Sequence, residues 1–244
     1  MADIFADLRA EYEQLDGIIT ALAPAQWAQP SAAAGWTVAD VVLHLAQTEE
    51  LVLASVAGDE TAFPVPSAGR VDALAEASVA AERRISPDDL LRRWRTAAGT
   101  TPDALRSQPG GTRLQWITNR ISPAALATTR LAEHWAHGHD IVSPLGIPYP
   151  DTARLRHIAW LAHRTLPYAF SVEGLDGGPV YCELTAPDGE IWKLGDPAAP
   201  SVITGPAGEF CRVGARRLAV RDSTLTATGP HGARALAVLR NYAF

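Results

Sequence analysis

The chain has 244 residues, of which 47% are hydrophobic and 20% are charged. This composition is typical of a folded globular protein and argues against disorder. The net charge of −6 argues against nucleic-acid binding, which relies on clustered basic side chains. No stretch approaches the ~20 apolar residues of a membrane span, and the opening MADIFADLRAEYEQL lacks the features of a signal peptide.

The rarer residues point to a cytoplasmic protein. Twenty of the 21 basic side chains are arginine, which fits the coding bias of a GC-rich genome, and Lys193 is the single lysine. Cys182 and Cys211 are far apart in the sequence, and each lies among apolar neighbours. This pattern predicts small buried thiols in a reducing compartment rather than a disulfide framework.

Helical periodicity dominates the first 145 residues. A first helix is predicted over residues 3–22, where Pro24 then stops it. Thr37 is a good N-cap for a second helix, with an apolar stripe at Val38, Val41, Leu45 and Val52. Residues 58–70 are predicted to form a loop, and a short helix is expected over residues 71–84.

Two further helix starts carry the same signal, a serine N-cap followed by proline. They are Ser86–Pro87 and Ser122–Pro123, and residues 107–116 between these helices are predicted to form a turn. Four long helices with no strand pattern among them predict a helical bundle over residues 1–146.

The pattern changes after the Pro-rich residues 143–151, which we interpret as a linker. A helix is expected over residues 151–166. Alternating strands at 180–185 and 190–194 flank a hairpin turn in which Gly189 is the permissive residue. Further strands are predicted at 201–204 and 224–229, and helices at 207–218 and 231–243. Residues 147–244 therefore form a small α+β domain, and the fold class is α+β.

The segment RLAEHWAHGHDI, residues 130–141, concentrates three of the seven histidines of the chain. On a helix, Glu133 and His137 are four residues apart and lie on one face, so both can reach one metal ion. Such a pair is also common as a structural surface contact.

His44 strengthens the metal hypothesis because it lies on the apolar side of the second helix, within VVLHLAQ. A single histidine there would be read as a hydrogen-bonded core residue. A buried glutamate beside a buried histidine, however, requires a charge partner or a metal.

His44, Glu133 and His137 together make a set of three ligands from two helices. Such a set leaves a coordination position open, which is typical of catalytic rather than structural zinc. The same donors can hold iron(II), so zinc is the first choice and iron, nickel and manganese stay open.

Three neighbouring side chains are expected to point elsewhere. His134 is interpreted as a pocket-wall or surface residue, and His139 is expected to be solvated. Asp140, three residues after His137, either orients the His137 ring or serves only at the helix end.

GWTVADVVLHLA followed by EHWAHGHDI resembles the DinB-like metal-binding bundles, and most closely their mycothiol-dependent maleylpyruvate isomerase branch. The resemblance places Trp36 and Thr37 at the helix start. It makes His44 the first metal ligand, and Glu133 and His137 the other two.

The resemblance also implies a C-terminal domain similar to sterol-carrier folds, which contributes an arginine to catalysis. Arg212, Arg216, Arg217 and Arg221 are all candidates, and none lies in a decisive motif. The implied chemistry is a metal-activated thiolate, supplied by mycothiol as cosubstrate, that adds to a small electrophile.

Three functions stay open at this point. The first is a metal-dependent, thiol-dependent transferase or isomerase acting on a small molecule. The second is a metal-dependent hydrolase, lyase or cyclase that uses no thiol. The third is a non-catalytic metal-binding module. The sequence specifies neither the substrate nor the oligomeric state.

Overall fold

The computed structural model describes residues 3–63, 71–117 and 119–241. Internal contacts divide the chain into two compact units, Met1–Tyr149 and Pro150–Phe244. Helices predominate in the first unit, and the second combines helices with a four-stranded sheet. The architecture is therefore α+β.

The first unit is built on four long helices that pack against one another: α1 (Ile4–Thr20), α3 (Val38–Ala57), α5 (Pro87–Arg106) and α6 (Pro123–Leu145). Shorter elements connect them: α2 (Pro24–Trp27), a 3₁₀ turn (Glu60–Ala62), α4 (Val71–Glu82), β1 (Leu114–Trp116) and β2 (Asn119–Ile121). The core lies where the apolar faces of the long helices meet.

The predicted helix starts are confirmed by their caps. The Thr37 hydroxyl accepts from the Asp40 amide at 3.2 Å, while the Thr37 amide donates to the Asp40 carboxylate at 2.9 Å. The serines before α5 and α6 cap their helices in the same way, each accepting from an amide three residues on at 3.2 Å. Local side-chain chemistry thus sets where these helices begin.

The expectation of a strand-free bundle is wrong. Leu114–Trp116 pairs antiparallel with Asn119–Ile121, in a segment interpreted as a turn and its flank. Each strand has only three residues, too few to reveal an alternating pattern. The sequence reading also omitted α2. The predicted loop at 58–70 contains the 3₁₀ turn, and its residues 64–70 lie outside the described residues.

The predicted linker begins too early, because α6 continues through Leu145 and includes Pro144. A proline within a helix lacks the amide that would bond the carbonyl four residues earlier. That carbonyl, on Asp140, instead accepts from the Ala32 amide at 2.8 Å. A tertiary hydrogen bond therefore compensates for the proline, and the helix ends at Gly146, where φ is +65°.

In its described residues, the second unit has four α-helices, a 3₁₀ turn (Val220–Asp222) and one four-stranded sheet. Its elements are α7 (Leu155–Arg164), α8 (Leu166–Val172), β3 (Val180–Thr185), β4 (Ile191–Leu194), β5 (Ser201–Pro206), α9 (Ala207–Gly214), β6 (Thr226–Thr228) and α10 (Gly229–Val238). The sheet order is β4-β3-β5-β6, with β3 and β5 parallel and the other pairs antiparallel.

The predicted strands all occur, and the hairpin turn between β3 and β4 places Gly189 at φ +88°. The helix expected at 151–166 begins later, at Leu155, and a separate α8 follows that was not predicted. Of the helix expected at 231–243, residues 242 and 243 lie outside the described part. No helix among the described residues is long and apolar enough to cross a membrane.

Both cysteines are free and buried, as predicted. Burial raises the pKa of Cys182 to about 12, and it raises the pKa of Cys211 further. Because the thiolate is the reactive form, neither side chain is suited to act as a nucleophile.

We therefore expect both thiols to resist Ellman's reagent at pH 8 in the native protein. Two thiols per chain should react once the protein is unfolded in guanidinium chloride. Free glutathione, titrated in parallel, is the control for reagent activity. Rapid labelling of either cysteine in the native protein would contradict this assignment.

Candidate metal centre

Three donor atoms from α3 and α6 converge in the first unit. His44 Nε2 lies 3.1 Å from Glu133 Oε1, and His137 Nε2 lies 3.3 Å from the same oxygen. One ligand atom from each side chain falls within 4.8 Å of the others. The sequence predicted Glu133 and His137 from helical spacing and His44 from its place on an apolar stripe, and the fold brings all three together.

Asp140 holds the His137 ring from behind. Its Oδ2 accepts from His137 Nδ1 at 2.9 Å, and the residue is only 1% exposed. Of the two roles considered for Asp140, the structure thus shows the orienting contact. It leaves Nε2 of His137 directed at Glu133, on the side where a metal would bind.

The pKa values of the two histidines are shifted in opposite directions. Burial lowers the pKa of His137, but hydrogen bonds to Asp140 and Glu133 and the charges of both carboxylates outweigh burial, so the pKa lies above its ordinary value. Burial dominates at His44 and lowers its pKa, although the contact with Glu133 opposes this.

Glu133 is the ionised member of the set. Burial raises its pKa, but hydrogen bonds from His137 and His44 and the charges of His137 and Arg130 hold the pKa well below its usual range. The Glu133 side chain is 36% exposed, whereas the side chains of the two histidines are only 11–13% exposed. The site is therefore anionic at Glu133 and accessible from that side.

Trp36 covers the two imidazoles. Its ring centroid lies 5.1 Å from that of His44, and it stacks on His137 at 6.2 Å. The loop before α3 positions it: Gly35 has φ +82°, a conformation that favours glycine, and the Trp36 carbonyl accepts from the Ser31 amide at 2.9 Å. The indole Nε1 donates to Glu76 of α4 at 2.6 Å.

Two expectations about the other histidines are wrong. His134 is fully buried rather than at a pocket wall or the surface. Its Nδ1 donates to the Arg130 carbonyl at 3.0 Å, and its Nε2 accepts from Trp94 Nε1 at 3.2 Å. His139 is half-buried rather than solvated, and its ring packs edge-on against Trp135 at 4.8 Å and Tyr149 at 5.1 Å.

His134 is a neutral imidazole in the folded protein. Burial, reinforced by the charge of Arg130, holds its pKa well below 6.5. Glu49 lies 3.7 Å from its Nδ1, and the Tyr12 ring packs against it at 4.4 Å. Below about pH 6.5 the unfolded chain binds a proton at this position that the folded protein does not bind.

His134 should therefore make stability fall with acidity. Between pH 7.5 and 5.5 we expect wild type to lose roughly 1 kcal/mol more unfolding free energy than His134→Gln, which cannot titrate there. Urea denaturation at the two pH values measures this difference. All other titratable groups are common to the two proteins, so the comparison isolates His134. Equal losses in both proteins would show that His134 is protonated in the fold.

Sequence reasoning missed the buried ion pair beside the donors. Arg130 Nε lies 2.7 Å from Glu49 Oε1, and their side chains are 2% and 0% exposed. A signal was available, because Glu49 falls four residues after Leu45 and three before Val52, on the apolar stripe of α3. A charged residue at such a position predicts a buried partner.

The candidate arginines of the second unit occupy different environments. Arg212 binds both oxygens of Asp151, at 2.9 and 3.0 Å. Arg217 donates to the Ala215 carbonyl at 2.6 Å, whereas Arg221 is largely exposed. Arg216 is exposed as well and has a positive φ of 62°. A catalytic arginine among them stays a prediction.

Comparison with known families bears on the first unit directly. The profile of the mycothiol maleylpyruvate isomerase N-terminal domain matches residues 8–142, which contain all three donors. The chain belongs to the mycothiol maleylpyruvate isomerase family. As a member of that family, it is 37% identical to two uncharacterized proteins of Mycobacterium tuberculosis, from strains CDC 1551 / Oshkosh and H37Rv. These matches cover 98% of this chain and 94% of each relative.

Solved structures extend the likeness beyond the first unit of this family member. A crystal structure of the mycothiol-dependent maleylpyruvate isomerase aligns with a TM-score of 0.62 at 17% identity, covering 94% of each chain. A mutant of that isomerase aligns with a TM-score of 0.61 at 14% identity and the same coverage. At these identities the likeness establishes a shared fold, and it includes the α+β second unit.

Proposed function

We propose that this protein is a thiol-dependent isomerase that acts on a small electrophilic substrate at a metal held by His44, Glu133 and His137. The observation that carries the proposal is the convergence of these three donors in a member of the mycothiol maleylpyruvate isomerase family. Mycothiol is the cosubstrate that the family name indicates, and zinc is the metal that we propose first.

The donor set fits a divalent metal. Bonds of about 2.0–2.1 Å at tetrahedral angles place neighbouring donors roughly 3.3 Å apart. The two separations to Glu133 Oε1 are 3.1 and 3.3 Å, close to this value, and all three donor atoms lie within 4.8 Å of one another. Two imidazoles and one carboxylate make a three-ligand set, which leaves a position for an exogenous group.

The protein side chains would bind the metal, orient its ligands and shield the site from water. Asp140 fixes the orientation of the His137 ring, so the ring need not change rotamer for Nε2 to reach a metal. Trp36 covers both imidazoles and limits the approach of water. A divalent metal, when bound, supplies Lewis-acid chemistry that lowers the pKa of a thiol and so favours the thiolate.

The nucleophile would come from outside the chain, because Cys182 and Cys211 are buried and their pKa values are raised. In the proposed isomerisation, a thiolate adds to an activated carbon–carbon double bond. Rotation about the resulting single bond follows, and loss of the same thiolate restores the double bond. The thiol is recovered unchanged, so it acts as a catalyst and not as a reagent.

The test has two stages. Metal content is measured by mass spectrometry on protein purified without a His tag or chelator. The loaded enzyme is then assayed with maleylpyruvate, the substrate named for its relatives, with and without mycothiol. We expect about one metal ion per chain and a rate that requires the thiol.

The outcomes separate the three functions. A thiol-independent rate would contradict the proposed thiol dependence, and a product other than the isomer would favour a metal-dependent hydrolase, lyase or cyclase. Stoichiometric metal without turnover of any cis-configured electrophile tested would favour a non-catalytic module. Absence of metal after incubation with zinc, iron(II), nickel(II) or manganese(II) would remove the basis of the proposed function.

A further inference from the structure

A second polar cluster lies one helical turn from the metal donors. The buried guanidinium of Arg130 donates from Nε to Glu49 at 2.7 Å and from Nη2 to the Thr48 hydroxyl at 2.7 Å. Arg130 belongs to α6, whereas Thr48 and Glu49 belong to α3. These contacts therefore tie together the two helices that carry all three donors.

The contacts of Arg130 lie about one helical turn from the donors on both helices. On α3, Thr48 follows His44 by one turn, and its hydroxyl donates to the His44 carbonyl at 2.9 Å. On α6, Arg130 precedes Glu133 by three residues and so lies on the same side of the helix. A shift of α3 along α6 would break both contacts of Arg130 and would also separate His44 from Glu133.

The guanidinium is held from further directions. It lies over the Trp116 ring of β1 at 5.3 Å. The Arg130 carbonyl accepts from His134, which is bonded in turn to Trp94 of α5. The guanidinium is thus held by α3 and β1, and the backbone of Arg130 is linked through His134 to α5, which suits a reference point for helix register.

Stability alone does not account for this arrangement. Desolvating two charges is costly, and well-packed apolar residues in place of a buried ion pair are often as stable or more stable. A buried pair can instead select one geometry among several that an apolar interface would allow. Here the selected geometry is the one in which the donors meet.

We propose that Arg130 is a positioning residue for the metal centre. Acting through Glu49 and Thr48, it fixes the register of α3 against α6 and so directs His44 toward Glu133. This inference rests on the metal site of the proposed function, and it adds a residue whose guanidinium hydrogen bonds go to Glu49 and Thr48 rather than to the three donors.

The test compares metal affinity with stability in the full-length protein. A single replacement would leave one charge buried alone, so the main variant is the double replacement Glu49→Leu/Arg130→Met, which keeps the volume apolar. Cobalt(II) is the probe, since its visible spectrum reports both affinity and coordination geometry. We expect the midpoint of thermal unfolding to stay within a few degrees of wild type, while cobalt affinity falls about 10–100-fold.

A milder pair of variants provides a matched control. Thr48→Val removes only the hydroxyl that accepts from Arg130, and we expect cobalt affinity to fall severalfold with an altered spectrum. Thr101→Val removes a hydroxyl that likewise donates to a carbonyl four residues earlier, that of Ala97 in α5 at 3.0 Å. This variant should leave the cobalt affinity and the spectrum unchanged.

The result separates this inference from the proposed function. If wild type binds cobalt and the double variant binds it with the same affinity and spectrum, Arg130 is only structural and the inference is overturned, while the metal site stands. If wild type itself binds no cobalt or zinc, both fall. Should the double variant fail to fold, the Thr48→Val and Thr101→Val comparison decides.

Discussion

Replacing His137 with alanine should abolish stoichiometric metal binding while leaving the helical content unchanged. The variant keeps His44 and Glu133, which are one imidazole and one carboxylate, too few to hold a divalent ion firmly. Loss of a residue that merely supports a ligand costs roughly 10–100-fold in affinity, so loss of a ligand should exceed that range. Chelator competition on zinc-loaded protein measures the affinity, and circular dichroism measures the helix content.

The control for this variant is His139→Ala. His139 lies two residues away on the same helix, but its ring packs against Trp135 and Tyr149 and not at the donors. Its replacement should leave zinc affinity within about twofold of wild type. Full metal retention in His137→Ala would contradict the assignment of His137 as a metal ligand. Glu133→Gln should fall between the two, weakening binding about 10-fold or more.

The largest expected effect on stability comes from Arg130→Met. This replacement leaves Glu49, which is 0% exposed, without its buried cation, and removing one partner of such a pair typically costs about 3–5 kcal/mol. Urea denaturation followed by circular dichroism should show that loss in the free energy of unfolding. Arg92→Met is a suitable control, because Arg92 pairs with Asp89 on the surface of α5 and its loss should cost under about 0.5 kcal/mol.

The double variant Glu49→Leu/Arg130→Met distinguishes two causes of that loss, the stranded charge of Glu49 and the lost packing of the Arg130 stem. If the cost reflects a stranded charge, Glu49→Leu/Arg130→Met should recover most of the stability that Arg130→Met loses. A double variant as unstable as the single one would show that packing of the Arg130 stem, and not the charge of Glu49, dominates. Such strong non-additivity is expected for residues in direct contact, as Arg130 and Glu49 are.

The common face of Glu133 and His137, and the inward direction of His44, could be predicted because each depends on local rules. A spacing of four places Glu133 and His137 on one helix face, and an apolar stripe indicates which way His44 points. Serine and threonine caps set the helix starts with similar reliability. These features depend on residues that are close together in the sequence.

The features that could not be predicted depend on distant partners. His134 is buried because Trp94, on another helix, supplies a donor for its second ring nitrogen. The linker prediction missed the last turn of α6 because Ala32 supplies the amide that Pro144 cannot. The β1–β2 hairpin has strands of three residues, and pairing rather than pattern defines them. In each case the deciding contact lies far away in the sequence or between very short segments.

The three donors are unevenly spaced along the sequence. Glu133 and His137 come together as soon as α6 forms, whereas His44 is 89 residues away from Glu133. Closing a segment of that length is slow compared with forming a helix, because chain entropy opposes it. Two donors thus belong to local folding and the third to tertiary assembly. The rate at which a refolding chain takes up metal would consequently report when α3 docks onto α6, separately from the formation of either helix.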